Sequence, residues 1–390
     1  MKNTSTFKIA FPIASVWFAA LVGPSMVSGI FATSYYTSYG VWGLILPCLT
    51  FAVACFIITM GAETVRRQKT YDYSSFSKAI YGKASRFFSP ILEVYMVIAM
   101  IVSGSAVVAM GATLLHELIG APPIVGAIGM SAICMCLVLW GESLIRKSSV
   151  VISMVMIGGL LLLAFFSIQY RAGTLADMIS SGYVPEGATM SSGIRKALAL
   201  GFSNSANALV LTSVEQTVTK RRHSWAIGGI SFVMNVGVFV ITTLLTLPYS
   251  PEVLSEQMPT LYIIHQYLAA SVPWLPTVYM LTMFVALMDS SQLHAVASRT
   301  MQFYPNTGIL RDNVKLKTFL TGIVYFAISI LISMLGLRTI VGTGYSLLGY
   351  LAIPLIAVPV CIVAPLRRMR QKAQDWKAKD ISSYTKVQDQ

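Results

Sequence analysis

Leu21-Val22-Gly23-Pro24-Ser25-Met26-Val27-Ser28-Gly29-Ile30-Phe31-Ala32 interrupts an apolar stretch that is too long to be one regular membrane helix. Proline removes a backbone donor, and glycine lowers the cost of non-helical dihedrals. At mid-membrane depth, freed N–H and C=O groups persist only where protein or a water-filled cavity satisfies them. Taken alone, the stretch reads equally as a Pro-kinked helix or as a true interruption. A second stretch bears on the choice. Ala199-Leu200-Gly201-Phe202-Ser203-Asn204-Ser205-Ala206-Asn207 places two serines and two asparagines flanking Ala206 before the apolar run Ala208-Leu209-Val210-Leu211 resumes. Buried polar side chains of this kind serve as interhelical packing contacts or as part of a site.

Outward from these stretches, the composition excludes a soluble domain. Of 390 residues, 55% are hydrophobic and 11% charged, against about 25% charged in soluble domains. Apolar runs of about 20 residues, enough to cross a hydrocarbon core of roughly 30 Å, recur along the chain. The N-terminus lacks the pattern of a cleavable signal peptide. Reading apolar runs against Gly and Pro punctuation predicts ten spans, at 8–38, 41–65, 87–115, 122–140, 146–169, 194–218, 226–247, 274–298, 316–336 and 339–365. Residues 73–82 read as a short interfacial helix, 170–193 as an irregular loop or short helix, and Leu261-Tyr262-Ile263-Ile264 as a helix over the outer face.

The net charge of +13 is distributed by topology, not as a nucleic-acid surface. With both termini cytoplasmic, 24 of the 28 Lys and Arg fall inside, and only Arg171, Arg195, Lys196 and Arg338 fall outside, the positive-inside pattern. The basic segment 366–390 reads as a topogenic cytoplasmic tail. The five cysteines lie in apolar spans, and their spacing indicates neither a disulfide nor a metal site.

The interruptions fall in spans one and six, which divides the chain into repeats at 1–169 and 194–365 joined by an external loop at 170–193. Five is odd, so the second repeat starts on the opposite face. Paired interruptions in inverted repeats point to a midplane site in secondary transporters. The half-helix ends expose N–H groups suited to a carboxylate and carbonyls suited to a cation or ammonium. Candidate substrate contacts are Gly23, Ser25, Ser28, Gly29, Phe202, Ser203, Asn204 and Asn207, with Ser103 and Ser105 from mid-span three. A zwitterion such as an amino acid satisfies both kinds of helix end, as do other small polar solutes.

Span eight carries Asp289-Ser290-Ser291-Gln292-Leu293-His294, and an ionisable group inside a membrane helix is a functional candidate by default. Asp289 and Ser290, with backbone carbonyls near Gly23, suit Na⁺. Asp289 also suits H⁺, with His294 as a relay, or a structural hydrogen bond to a neighbouring helix. Glu215 and Tyr345 are candidate gating residues, the latter with ordinary aromatic packing as its alternative.

Several short stretches resemble the YkvI-like membrane proteins: Ser28-Gly29 through Tyr39-Gly40-Val41-Trp42-Gly43, Ser74 and Phe76 with Tyr81-Gly82, and Met100-Ile101 with Ser103-Gly104-Ser105. The Asn204/Asn207 region, Met258-Pro259-Thr260-Leu261-Tyr262, and Tyr345 with Gly349-Tyr350 extend the likeness over nearly the whole chain. That family is similar to a branch of the amino acid–polyamine–organocation superfamily. The resemblance implies an all-α LeuT-type fold of five plus five helices in a prokaryotic cytoplasmic membrane. It also implies an amino-acid-like substrate between spans one, three, six and eight, often coupled to Na⁺. Sodium-coupled relatives carry a hydroxyl pair on span eight. Asp289 and Ser290 occupy those positions here, and the carboxylate departs from the pattern by admitting H⁺. The expectation is an ion-coupled symporter in which spans 1, 2, 6 and 7 rock against the rest. The alternative is a ligand sensor of the same fold that does not transport, as in germination receptors. No nucleotide loop or metal-ligand cluster supports an enzyme, and the sequence leaves oligomeric state open.

Overall fold

A computed structural model describes residues 5–21, 23–140, 142–210, 217–287, 296 and 313–369. The described residues are helices and turns without a strand. Five helical stretches are long and apolar enough to cross a membrane: Leu46–Gln68, Tyr73–Ile119, Arg221–Tyr249, Val314–Ser333 and Leu337–Met369. Met154–Tyr170 and Ala172–Ser181 make a sixth, bent by 79°. Shorter apolar helices occupy Thr6–Phe18, Pro123–Leu139 and Leu275–Phe284. Large apolar side chains such as Phe87, Val233, Phe165 and Leu331 lie on outer faces, where a bilayer takes the place of a second protein layer.

The first span is three helices, not one: α1 (Thr6–Leu21), α2 (Pro24–Val27) and α3 (Ile30–Tyr35). Gly23 is extended, and Gly29 has φ of 80°, a conformation costly for any residue with a Cβ. After a 3₁₀ stretch, α4 (Leu46–Gln68) ends with Arg66 and Arg67 at its carbonyl pole, where cations are favoured. Then come α5 (Tyr73–Tyr81), α6 (Ser85–Ile119), α7 (Pro123–Trp140) and α8 (Glu142–Tyr170). Asp72 starts α5 by accepting a 2.9 Å bond from the Ser75 N–H, so the short helix read at 73–82 is present.

The second half opens with α9 (Ala172–Ser181), a helix where the sequence left loop and helix open. The sixth span starts earlier than its expected residue 194. It comprises α10 (Met190–Asn204), capped by Thr189, and α11 (Asn207–Val210). It is followed by α12 (Arg221–Thr246), α13 (Pro259–Ile263), α14 (Leu275–Leu287) and α15 (Val314–Ser333). The last span is a helix with three π-helical turns, at Ile340–Gly344, Ile353–Ala357 and Pro359–Val363, around α16 (Tyr345–Ala352). Where the expected spans fall on described residues they are helical, with ends shifted by a few residues.

The packing carries a twofold signature. α1 lies against α12, and α10 lies against α4. Exchanging span one with six and two with seven converts one pair into the other, as an inverted repeat requires. α4 and α12 also pack on each other, tying the four spans together. Contact with α10 is made through small residues: Thr50 donates 3.1 Å to the Ala197 carbonyl, and a Cβ on Gly201 would lie 2.6 Å from the Thr50 carbonyl. Across the bundle, a Cβ on Gly349 would overlap the Ala199 carbonyl of α10.

Gly349→Leu should therefore lower stability by about 1–3 kcal/mol, the usual cost of overpacking. Gly173→Ala, with open space at its Cβ, should melt with the parent chain. Thermal unfolding in detergent checks both. An unshifted midpoint for Gly349→Leu would mean that spans six and ten do not meet there.

Candidate functional site

The break in span one is built from its own turn and from a distant segment. The N–H groups of Met26 and Gly29 donate to Gly23 and Met26 carbonyls at 3.0 Å each, and Ser28 Oγ donates 3.0 Å to Ser25. The Ser28 carbonyl accepts 3.0 Å from the Thr260 N–H, next to α13. The run Leu261–Ile264, read in sequence as a helix over the outer face, is helical, and the residues that open this helix latch onto the break. A Cβ on Gly29 would stand 2.7 Å from Thr260 Oγ1, so the absence of a side chain permits the contact. Ser25, Met26, Val27 and Ser28 are all buried. α2 packs on α6, α8 and α14, while α3 packs on α10, α12 and the π turn of span ten.

The break in span six is satisfied locally. Ser203 Oγ and Asn204 Nδ2 donate to the Leu200 carbonyl at 2.8 and 3.0 Å. Ser205 Oγ donates 2.5 Å to Phe202, and Asn207 Nδ2 donates 3.0 Å to Asn204. Each serine has one O–H to give and each asparagine two N–H. Both hydroxyls and one N–H of each asparagine are thus committed to the helix's own carbonyls. The turn retains hydroxyl lone pairs, the amide oxygens and one N–H on each asparagine. Ser203 and Asn204 are buried and Phe202 half-buried.

The other candidates fall into place unequally. Ser105 donates 2.7 Å to Ile101 of its own helix. Ser103 is within reach of the Tyr345 hydroxyl. Between them, Gly104 makes room for Tyr325, whose hydroxyl donates 3.1 Å to Met100. Tyr345 packs edge-on against Phe31, centroids 5.2 Å apart, which joins span ten to the helix following the first break. Asp289, Ser290, His294 and Glu215 lie outside the described residues.

Two features escaped the sequence reading. Lys196, taken as an external loop charge, sits two turns inside α10. Its ammonium donates 2.5 Å to the Gly342 carbonyl and lies 5.4 Å from the centre of the Tyr35 ring. Tyr35 donates 2.8 Å to the adjacent Val341 carbonyl. The π turn at Ile340–Gly344 frees those carbonyls, so spans one, six and ten are joined at this end of the bundle. Asn235 of α12 is fully buried, donates 2.8 Å to Ser231, and leaves Oδ1 without a partner among the described residues. Asn in an apolar span was the available signal.

No family model matches the chain, and no curated protein matches it. Solved structures do. A Na⁺-coupled sialic acid symporter in a substrate-bound outward-open state is 14% identical, with 92% of this chain and 79% of the other covered and a TM-score of 0.59. A manganese transporter mutant from Eremococcus coleocola is 13% identical, with 92% and 80% covered and a TM-score of 0.62. A nucleobase-cation-symport-1 family transporter, closed with bromovinylhydantoin bound, is 11% identical, with 90% and 77% covered and a TM-score of 0.53. The shared architecture is the LeuT-type fold with interrupted helices one and six.

Gly29→Ala should loosen the latch, since alanine at this φ costs about 1–2 kcal/mol and its Cβ crowds Thr260. A cysteine placed at Thr260 should then react with an impermeant maleimide at least threefold faster than in the Gly29 background, the reagent being added to each membrane face in turn. Equal rates in the two backgrounds, on whichever face reacts, would remove the latch.

Proposed function

We propose that this chain is an ion-coupled secondary transporter of a small, amino-acid-like solute, working by alternating access. The observation that carries this reading is the pair of interruptions related by the repeat, at Gly23–Gly29 and Ser203–Asn207. Interrupted helices of this kind place opposed helix poles around a midplane site. Three structural neighbours of the same fold, described as a symporter, a manganese transporter and a cation-symport family member, support transport as the class. The short motifs shared with the YkvI-like proteins support that branch and its prokaryotic cytoplasmic membrane.

Substrate contacts are assigned to Gly23, Ser25, Ser28, Gly29, Ser103, Ser105, Phe202, Ser203, Asn204 and Asn207. The acceptor-rich turn of span six suits an ammonium, and the N–H groups opening α3 suit a carboxylate. Asp289 with Ser290 is the proposed coupling site, for Na⁺ or for H⁺ passed through His294. Glu215 and Tyr345 are proposed gates, and Lys196 joins them on the geometry above. Closure at the Thr260 and Lys196 end, with release at the basic end, describes one half of the cycle. In this orientation the basic end, and both termini, are cytoplasmic.

Counterflow in proteoliposomes tests the class, because a sensor of the same fold would bind ligand without exchanging labelled solute. A thermal-shift screen of amino acids and small amines, with and without Na⁺, selects the ligand first. Asp289→Asn should cut ion-driven uptake at least tenfold while membrane insertion is retained. Uptake unchanged in rate and in Na⁺ and pH dependence would remove Asp289 from the coupling site.

A further inference from the structure

Where α4 ends, α12 begins and the last helix leaves the bundle, a cavity of about 220 Å³ opens among Met60, Glu63, Arg67, Arg221, Trp225 and Arg368. Its charge is unbalanced. Glu63 is already held by Arg66 at 2.7 Å and by Arg67 at 2.5 Å. That leaves Arg221 and Arg368 lining a cavity whose one carboxylate among the described residues is taken. Arg368 Nε and Nη2 are buried and have no partner among the described residues. A buried guanidinium edge left open in this way is costly, and a planar pair of N–H groups matches two oxygens of a carboxylate or phosphate.

The surroundings choose between those anions. Trp225 and Met369 stand at the mouth, both well exposed, on the flank where a bilayer's interfacial layer meets the helix ends. Tryptophan is favoured at that depth, and basic pockets between membrane helices at the positively charged end suit lipid headgroups. Arg367 does not line the cavity, and its Nη2 donates 3.1 Å to the Ala79 carbonyl of α5.

We propose that this cavity is a binding site for a phosphate-bearing anion, held as the headgroup of an anionic phospholipid in the leaflet at the basic end. Arg368 receives the phosphate oxygens in the interior. Arg221 closes over them from the exposed side, and Trp225 and Met369 carry the glycerol and upper acyl chain. The bound lipid bridges spans two, seven and ten, and so ties two spans of the central four to the last helix. The assignment rests on the pocket's own residues and is independent of the transport reading.

The test uses the purified full chain in bilayers of equal phosphatidylglycerol and phosphatidylcholine, released into the gas phase for native mass spectrometry. Phosphatidylglycerol should be retained at least fivefold over phosphatidylcholine. Arg368→Gln should lower that preference at least threefold. Arg221→Gln, at an exposed position that folding tolerates, should also lower it and serves alone if the first variant fails to fold. Millimolar inorganic phosphate should not displace the lipid. Equal retention of the two lipids would overturn the proposal, as would a preference unchanged in the folded variants. Displacement by inorganic phosphate would reassign the pocket to the free anion and overturn the lipid source.

Discussion

A backbone group without a hydrogen-bond partner in a hydrocarbon layer costs several kcal/mol, and that constraint organises this molecule. Pro24 deletes a donor, and Gly29 turns the chain out of helical geometry. Both leave polar groups in a buried place. The two breaks settle the debt differently. At span six the partners are side chains within four residues, Ser203, Asn204, Ser205 and Asn207. At span one, the Ser28 carbonyl is satisfied by Thr260, from a segment more than two hundred residues away. A local partner travels with its helix through any rearrangement. A distant one is exchanged when the segments part, and water entering from that side can replace it. The first break is thus the one whose hydrogen bonding can report which end of the bundle is closed.

The packing around the breaks follows the same division. Spans one and seven, six and two, and two and seven meet closely, and an aromatic cluster centred on Phe239 holds Phe31, Tyr36 and Phe51 with centroid separations between 4.8 and 6.2 Å. Span six also packs closely on span ten, and polar contacts join that face. Lys196 and Tyr35 reach carbonyls freed by a π turn, and Gly349 lets α10 approach. A hydrogen bond to a carbonyl contributes about 0.5–1.5 kcal/mol net, more when charged.

What could be read in advance was what local chemistry dictates. Gly23, Pro24 and Gly29 announce an interruption by their own dihedral preferences, and Ser203 through Asn207 do so by polarity in an apolar run. The latch of Thr260 on the break was not legible, because the partner of the Thr260 N–H is set by tertiary closeness and has no periodic signature. Lys196 was misplaced for a boundary reason. Thr189 caps a helix that starts at Met190, so a residue two positions into the expected span is two turns inside the observed one. Asn235 was passed over because a lone amide in a membrane helix reads as packing glue. Asp289 and Ser290 stand out as coupling candidates by charge alone, and they lie outside the described residues.

Neighbours of this architecture are described with cargo as different as sialic acid, manganese and a hydantoin, so the scaffold does not select the solute. Selection must come from the groups left over once the breaks have satisfied themselves. In span six both hydroxyl protons and one N–H of each asparagine are spent on Leu200, Phe202 and Asn204 carbonyls, which leaves the amide oxygens and one N–H on each asparagine. A solute that enters must replace the hydrogen bonds that both sides lose on leaving water. The hydroxyls of the break are spent on its own carbonyls, so any selectivity of that turn rests on its two asparagine amides.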